Sequence, residues 1–267
     1  MSGTVIVKIC CQLGNQMCQI AAAYSFAKKY NKILKYTVAE SDLTMEGTAH
    51  YKHYDYITNM FEFVKESDID DSFVRVTENN HQDIVDLDSY GECENVYMQG
   101  YFQSPLYYNK EIILDLFKVT ENEKRYIAEK YGDLSSATCL QLRIGADYVY
   151  DKNFISPSFK YFSDMYNKYF SGSPVLISSD SINLCKQFIF GDKIIFLDDE
   201  PNPVMALKIM ACCKNFIISP STFGFWAGYI GACNNGNVIC PVPWFKSDKE
   251  LRVENRGCND WIKENVY

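Results

Sequence analysis

Thr4-Val5-Ile6-Val7-Lys8-Ile9-Cys10 runs directly into Cys11-Gln12-Leu13-Gly14-Asn15-Gln16, and the reading of this junction decides the fold. The first segment is a compact apolar run rich in β-branched residues, which suits a strand. Past the turn, Met17, Ile20, Ala21, Tyr24 and Ala27 recur at helical spacing, and Ala21, Ala22 and Ala23 are small enough to pack closely on a sheet. Strand, tight glycine turn and helix N-terminus make a crevice at the carboxyl end of a strand, where open α/β sheets bind ligands. Asn15 and Gln16 stand there as an amide pair able to read hydroxyls and phosphate oxygens. The same residues also suit a satisfied turn with a helix cap, since a single glycine turn is a weak motif.

Working outward, Ile33-Leu34-Lys35-Tyr36-Thr37-Val38 is a second β-branched run. Residues 41 to 95 are polar and acidic with scattered aromatics, and carry the pairs Asp68-Ile69-Asp70 and Asp86-Leu87-Asp88. Such D-x-D pairs can hold a metal on a nucleotide diphosphate, but in so acidic a stretch a solvated face is the better expectation. Tyr97 to Pro105 runs from strand into loop, and Leu106 to Phe117 reads as helix. Thr120-Glu121-Asn122-Glu123 is a capping box opening a helix that stops at Gly132, the expected connector between halves.

The second half alternates more regularly. Strand-like runs fall at 137–142, 175–178, 194–197, 216–219 and 238–240, with helical patterns between them. Ser156-Pro157 and Asn202-Pro203 each pair a cap residue with proline at the first helical position. This order implies a parallel, doubly wound sheet with right-handed crossovers.

Composition removes several function classes. The 267 residues suit one large α/β domain or two small ones. A formal charge of -8 repels polyanions, so nucleic acid is not expected as a partner and any phosphate pocket is built locally. The 11 cysteines include the adjacent pairs Cys10-Cys11 and Cys212-Cys213 but no CxxC, and only His50, His53 and His81 are available, so no metal site is expected. Free thiols in a reducing compartment fit this pattern. No secretion signal is evident, and the longest apolar stretch, Phe223 to Cys233, is shorter than the ~20 residues a membrane span needs. The expectation is a soluble, cytoplasmic protein with no integral membrane segment.

Three turns of the second half carry chemistry. Arg143 closes the strand 137–142 and enters Ile144-Gly145-Ala146-Asp147-Tyr148. Its planar fork suits a diphosphate, or it forms a structural ion pair with Asp147; both roles can coexist. In Ser219-Pro220-Ser221-Thr222-Phe223, Ser221 and Thr222 offer hydroxyls and N–H groups at a helix N-terminus, where the dipole favours anions. Ser178-Ser179-Asp180-Ser181 is the third turn, with Asp180 either accepting from a guanine or ribose donor or capping the next helix.

Together these segments resemble the α-1,2-fucosyltransferase family, inverting enzymes that use GDP-L-fucose. The family opening, close to G-x-L-G-N-Q-M-F-Q-Y-A-A-A, is similar to Cys11 through Ala23, and its G-Y-F-Q-S segment to Gly100-Tyr101-Phe102-Gln103-Ser104. Its H-x-R-R-G-D-Y loop falls on Gln141 to Tyr148, its F-S-D-D turn on Ser179-Asp180, and its N-S-T-F-S-W-W block on Pro220 to Trp226. Val238 to Phe245 and Asp260-Trp261-Ile262 resemble its closing pattern.

The resemblance implies an α/β fold of GT-B glycosyltransferase architecture, two facing Rossmann-like halves with parallel sheets. An acceptor half would span 1–132 and a GDP-sugar half 133–267, with a last helix packing back on the first half. It implies metal-independent transfer of L-fucose from GDP-L-fucose to a glycan or oligosaccharide hydroxyl, O2 of a galactose-like sugar, with no cofactor. The lack of an anchor points to a bacterial or viral type, with peripheral membrane association still open. Arg143 would neutralise the β-phosphate, and Ser221, Thr222 and Phe223 would cradle the diphosphate beside Ser179 and Asp180. Asn15 and Gln16 would face the reacting sugar, with Gly14 and Gln16 among the donor-binding residues, and Asp147 would orient or deprotonate the acceptor. Gln141 replaces the usual His, Ile144 the second Arg, Cys11 a Gly and Phe225 the first Trp, and Ala146 is inserted before Asp147. Loss of one loop cation removes a charge-assisted contact worth about 1.5–3 kcal/mol. This altered loop keeps open a degenerate glycosyltransferase that binds a nucleotide sugar or glycan without transfer. An enzyme for another GDP-sugar is the third reading.

Overall fold

The β-branched runs form strands in a computed structural model that describes residues 3–39, 55–78, 84–189, 191–246 and 257–267. His50, His53 and His81 lie outside the described residues. The chain divides into two units, Met1–Leu116 and Phe117–Tyr267, each built on its own parallel sheet.

In the first unit β1 (Thr4–Lys8), β2 (Ile33–Thr37), β3 (Glu62–Phe63), β4 (Val74–Thr77) and β5 (Asn95–Gln99) lie in the order β3-β2-β1-β5-β4. Every pairing is parallel. Chain order runs outward from β1 through β2 to β3, then resumes on the other side, so strand order reverses between β1 and β5. The helix Leu13–Lys29 follows β1; its alanine run Ala21 to Ala23 is fully buried, as close packing on a sheet demands. Lys28 and Lys29 in its last turn complement the dipole.

The second unit repeats the logic. β6 (Thr138–Leu142), β7 (Val175–Ser179), β8 (Ile194–Phe196), β9 (Asn215–Ile218), β10 (Val238–Val242) and β11 (Ile262–Asn265) take the order β11-β10-β9-β6-β7-β8, again all parallel. Here the order reverses between β6 and β9. Leu140, Leu142, Phe162, Ile177, Ile217 and Ile239 form the core on one side of this sheet. Trp226 on the helix Thr222–Gly231 is buried completely, edge-on to Phe117 at 5.3 Å.

Several expectations need correction. The unit boundary falls after Leu116, not after Gly132, because the capped helix Glu121–Tyr131 bonds within the second unit. Glu123 pairs with Lys208 at 2.5 Å, and the Tyr131 hydroxyl donates to Asp199 at 2.6 Å. The chain ends in β11, an edge strand beside β10, rather than in a helix. The helix expected at Ser156-Pro157 starts at Phe159, capped by Ser158, while the Ser156 hydroxyl donates to the Arg143 carbonyl. Asn202 caps the next helix as expected, accepting from the Val204 N–H with Pro203 at the first helical position.

Burial disfavours the charged form of Glu123, but its bonds from Lys208 and Thr120 outweigh this and hold the carboxyl below its ordinary value. A depressed folded value contributes stability above the unfolded value, about 4.3, and loses it as pH falls through the folded one. Glu123→Gln should therefore flatten the acid limb of the second unit's stability. Denaturant midpoints measured between pH 6 and 3 check this, and an unchanged slope would refute it.

Candidate active site

Open parallel sheets bind ligands where the strand order reverses, at the carboxyl ends of the two strands flanking the reversal. In the second unit those strands are β6 and β9, and they deliver Arg143 and the Ser219–Thr222 turn to one edge. Ser219, completely buried, accepts from the Arg143 N–H through its hydroxyl at 2.8 Å. The Tyr148 hydroxyl donates to the Pro220 carbonyl, and the Arg143 guanidinium lies 5.3 Å from the Tyr148 ring centre, in cation–π range. Tyr148 stacks in turn on Phe154 at 4.7 Å. Two loops are thus locked into one wall.

The Arg143 guanidinium is held by two carboxylates. One nitrogen donates to Asp147 at 2.6 Å, the other to Asp180. Asp180 also accepts the N–H groups of Ile144 at 2.9 Å and Gly145 at 3.0 Å, so it clasps the whole Arg143 loop to the end of β7. Space is tight at Gly145: a Cβ would lie 2.6 Å from Asp180 and 2.7 Å from Asp147 carboxylate oxygens, so a side chain there would push these carboxylates aside. Asp180 is neither the N-cap, which is Ser181, nor an uncommitted acceptor for a base or ribose. The Ser179 hydroxyl accepts from the Ser181 N–H at 3.0 Å.

The helix Thr222–Gly231 begins at this wall. Its N-cap Ser221 makes no side-chain cap bond, so the hydroxyl of Ser221 is not spent on the first turn that Thr222 and Phe223 open. Gln141, 4% exposed, braces the turn from below, its side-chain oxygen 3.3 Å from the Ser219 N–H. A Cβ on Gly224 would sit 2.4 Å from that same oxygen, so the bare backbone at Gly224 makes room for the Gln141 side chain.

In the first unit the reversal lies between β1 and β5. Asn15 accepts from the Gln103 side chain at 2.7 Å, and Gln19 donates to the Gly100 carbonyl at 3.0 Å, tying the turn after β1 to the loop after β5. Glu78 at the end of β4 accepts the N–H groups of Tyr101 at 2.8 Å and Phe102 at 2.6 Å, holding Phe102 at a φ of 48°. Gly14 is buried in the first helical turn. Gln16 departs from expectation: it is completely buried and donates to the Cys11 carbonyl at 2.8 Å, so it braces the turn and Asn15 alone of the amide pair is partly open.

The D-x-D pairs serve local structure. Asp70 accepts from Ser72, and Asp86 from Asp88 and Ser89, while Asp88 pairs with Lys29. Among the described residues no group of three or more His, Cys, Asp or Glu is placed to hold a metal. Among them, too, no helix is long and apolar enough to cross a membrane.

The profile of the family described as Glycosyl transferase family 11 matches residues 7–265. The chain belongs to that family. This family 11 chain, of the fucosyltransferase type, is 22% identical to an α-1,2-colitosyltransferase of Escherichia coli over 97% of this chain and 98% of the relative. Its fold is similar to that of POFUT1, solved in complex with GDP-fucose, at a TM-score of 0.51 and 15% identity over 86% of this chain and 94% of that one. The fucosyltransferase NodZ from Bradyrhizobium matches at a TM-score of 0.52 and 12% identity over 85% and 93%. The GT-B-like α/β architecture with two parallel sheets is as the resemblance implied.

Cys11 is one of the departures from the family motif that this segment resembles. Its φ is 66°, left-handed, where the family motif carries Gly. A side chain there costs about 1–2 kcal/mol, partly offset by the backbone entropy that glycine loses on folding. Cys11→Gly should stabilise the protein by about 0.5–1 kcal/mol and raise its melting temperature by about 1–4 °C. A thermal scan showing no rise would contradict the strain.

Sequence reasoning missed Ser219, Tyr148, Gln103 and Glu78 as site builders. Ser219 and Tyr148 lie inside the quoted segments that follow strand ends, which is the signal that would have found them. Glu78 has no such signal, because its role depends on β4 lying beside β5.

Proposed function

We propose that this chain transfers L-fucose, or a closely similar deoxysugar, from a GDP-linked donor to a glycan hydroxyl, O2 of a galactose-like sugar, with inversion and without metal. The reading rests on one observation: Arg143 and the helix N-terminus at Ser221–Thr222 meet at the strand reversal of the second sheet. A departing diphosphate gains charge as the sugar becomes cation-like, and a fixed guanidinium and helix dipole stabilise that charge. The E. coli relative named for colitose transfer and the neighbour solved with GDP-fucose support this class of donor.

Two carboxylates already share the guanidinium, and in this reading the donor displaces one. Asp147, whose side chain is 64% exposed, is the cheaper to release, because exposed pairs contribute about 0–1 kcal/mol. Asp180, 21% exposed and bonded to two N–H groups, stays. In this scheme Asp147 parks Arg143 until the phosphate arrives. Asp147→Asn should then leave GDP affinity unchanged or raised by up to about fivefold, with transfer retained. Titration of GDP together with a product assay on a panel of galactoside acceptors tests this. Collapse of transfer with intact GDP affinity would instead make Asp147 the base. GDP binding by the unaltered chain with no product from any acceptor would favour a nucleotide binder, the reading that the double clamp on Arg143 supports.

A further inference from the structure

The turn after β1 holds two sulfurs side by side. Cys10 Sγ and Cys11 Sγ are 3.5 Å apart, both partly exposed and outside any disulfide. Their backbone is pinned, the Cys10 N–H donating to Gln19 at 2.9 Å and the Cys11 carbonyl accepting from Gln16 at 2.8 Å. The left-handed φ of Cys11, 66°, accompanies this juxtaposition. We propose that Cys10 and Cys11 form a two-thiolate site for a trivalent arsenical.

Geometry chooses this ligand over a disulfide. A disulfide needs sulfurs at about 2.05 Å and Cα atoms at about 4.4–6.8 Å, whereas adjacent Cα atoms lie at about 3.8 Å. One soft atom bonded to two thiolates at about 2.3 Å spans about 3.5–3.8 Å at angles between 100° and tetrahedral, which the pair already offers. Thiolate sulfur is the ligand that soft centres select. The other adjacent pair is a poorer site: burial pushes the Cys212 thiol up to about 11, and the Cys213 thiol, 3% exposed, is also raised by burial.

Phenylarsine oxide is the probe. Its As=O bond and two S–H bonds break and two S–As bonds form; oxygen leaves as water with both protons, and arsenic stays trivalent. Intact mass measured on the full chain should show one phenylarsenic group, mapping to the tryptic peptide 9–28. The adduct should survive excess 2-mercaptoethanol and be lost to 2,3-dimercaptopropanol. Cys10→Ser and Cys11→Gly should each lose it, and a melting curve at or above the parent's for Cys11→Gly excludes misfolding as the cause. No adduct, an adduct retained by Cys11→Gly, one displaced by the monothiol, or one found only at Cys212 and Cys213 would each overturn the site. None of these results depends on the sugar-transfer reading.

Discussion

Arg143→Ala is expected to weaken GDP binding by about 10–150-fold, the loss of a charge-assisted contact worth about 1.5–3 kcal/mol. Transfer should fall further, by about 100–1000-fold, because charge on the diphosphate grows in the transition state. Arg143→Lys should recover little. The wall is built around a fork: one guanidinium nitrogen faces Asp180 and the other Asp147, and a single ammonium cannot reproduce both directions. The substitution should cost only about 1 kcal/mol of stability, because the guanidinium is 31% exposed and exposed ion pairs contribute little. Titration calorimetry with GDP, a product assay and a denaturation curve separate these effects. Near-parental transfer with unaltered GDP affinity would remove Arg143 from the phosphate site.

The second large effect concerns stability. Trp226→Ala should cost about 3–5 kcal/mol, against a net stability of about 5–15 kcal/mol for an ordinary domain. Trp226 is completely buried and fills the space among Phe117, Phe225 and Tyr229, with ring centres 5.3, 5.3 and 5.4 Å away. No neighbour on a packed helix can collapse into a void of that size. The melting temperature should drop by about 6–20 °C. Trp226 also seats the helix whose N-terminus is the proposed phosphate site, so GDP affinity should fall in the fraction that remains folded. A denaturant midpoint shift equivalent to less than about 1 kcal/mol would mean that the core does not depend on this ring.

Most of the strands legible in the sequence are buried, so their apolar residues cluster. The edge strand β8 was legible because all three of its residues are apolar, though only half-buried. The five residues of β6 are all buried, with apolar Cys139, Leu140 and Leu142 beside polar Thr138 and Gln141. β3 and β11 escaped because edge strands face solvent; Glu62 and Phe63 are both exposed, and β11 alternates half-buried with exposed residues. The strand β4 escaped for the same reason, with only Val76 of its four residues buried. The closing Asp260-Trp261-Ile262 was recognised but not its conformation. The boundary at Gly132 was misplaced because a capping box announces where a helix begins and is silent on what the helix packs against.

By itself the sequence determined that polar turns follow buried parallel strands, and which residues occupy them: Asn15, Arg143, Asp147, Asp180, Ser221 and Thr222. These are local properties, written in periodicity, caps and turn chemistry over a few residues. Tertiary structure decided how those residues are used. Strand order places β7 and β9 on either side of β6, and so sets Asp180 against Ile144 and Gly145 and Ser219 against Arg143, although 35 to 76 positions separate the partners. It turned Gln16 inward as a brace and put Cys11 in a left-handed conformation. Such pairings depend on which strands lie side by side, and chain periodicity carries no record of that.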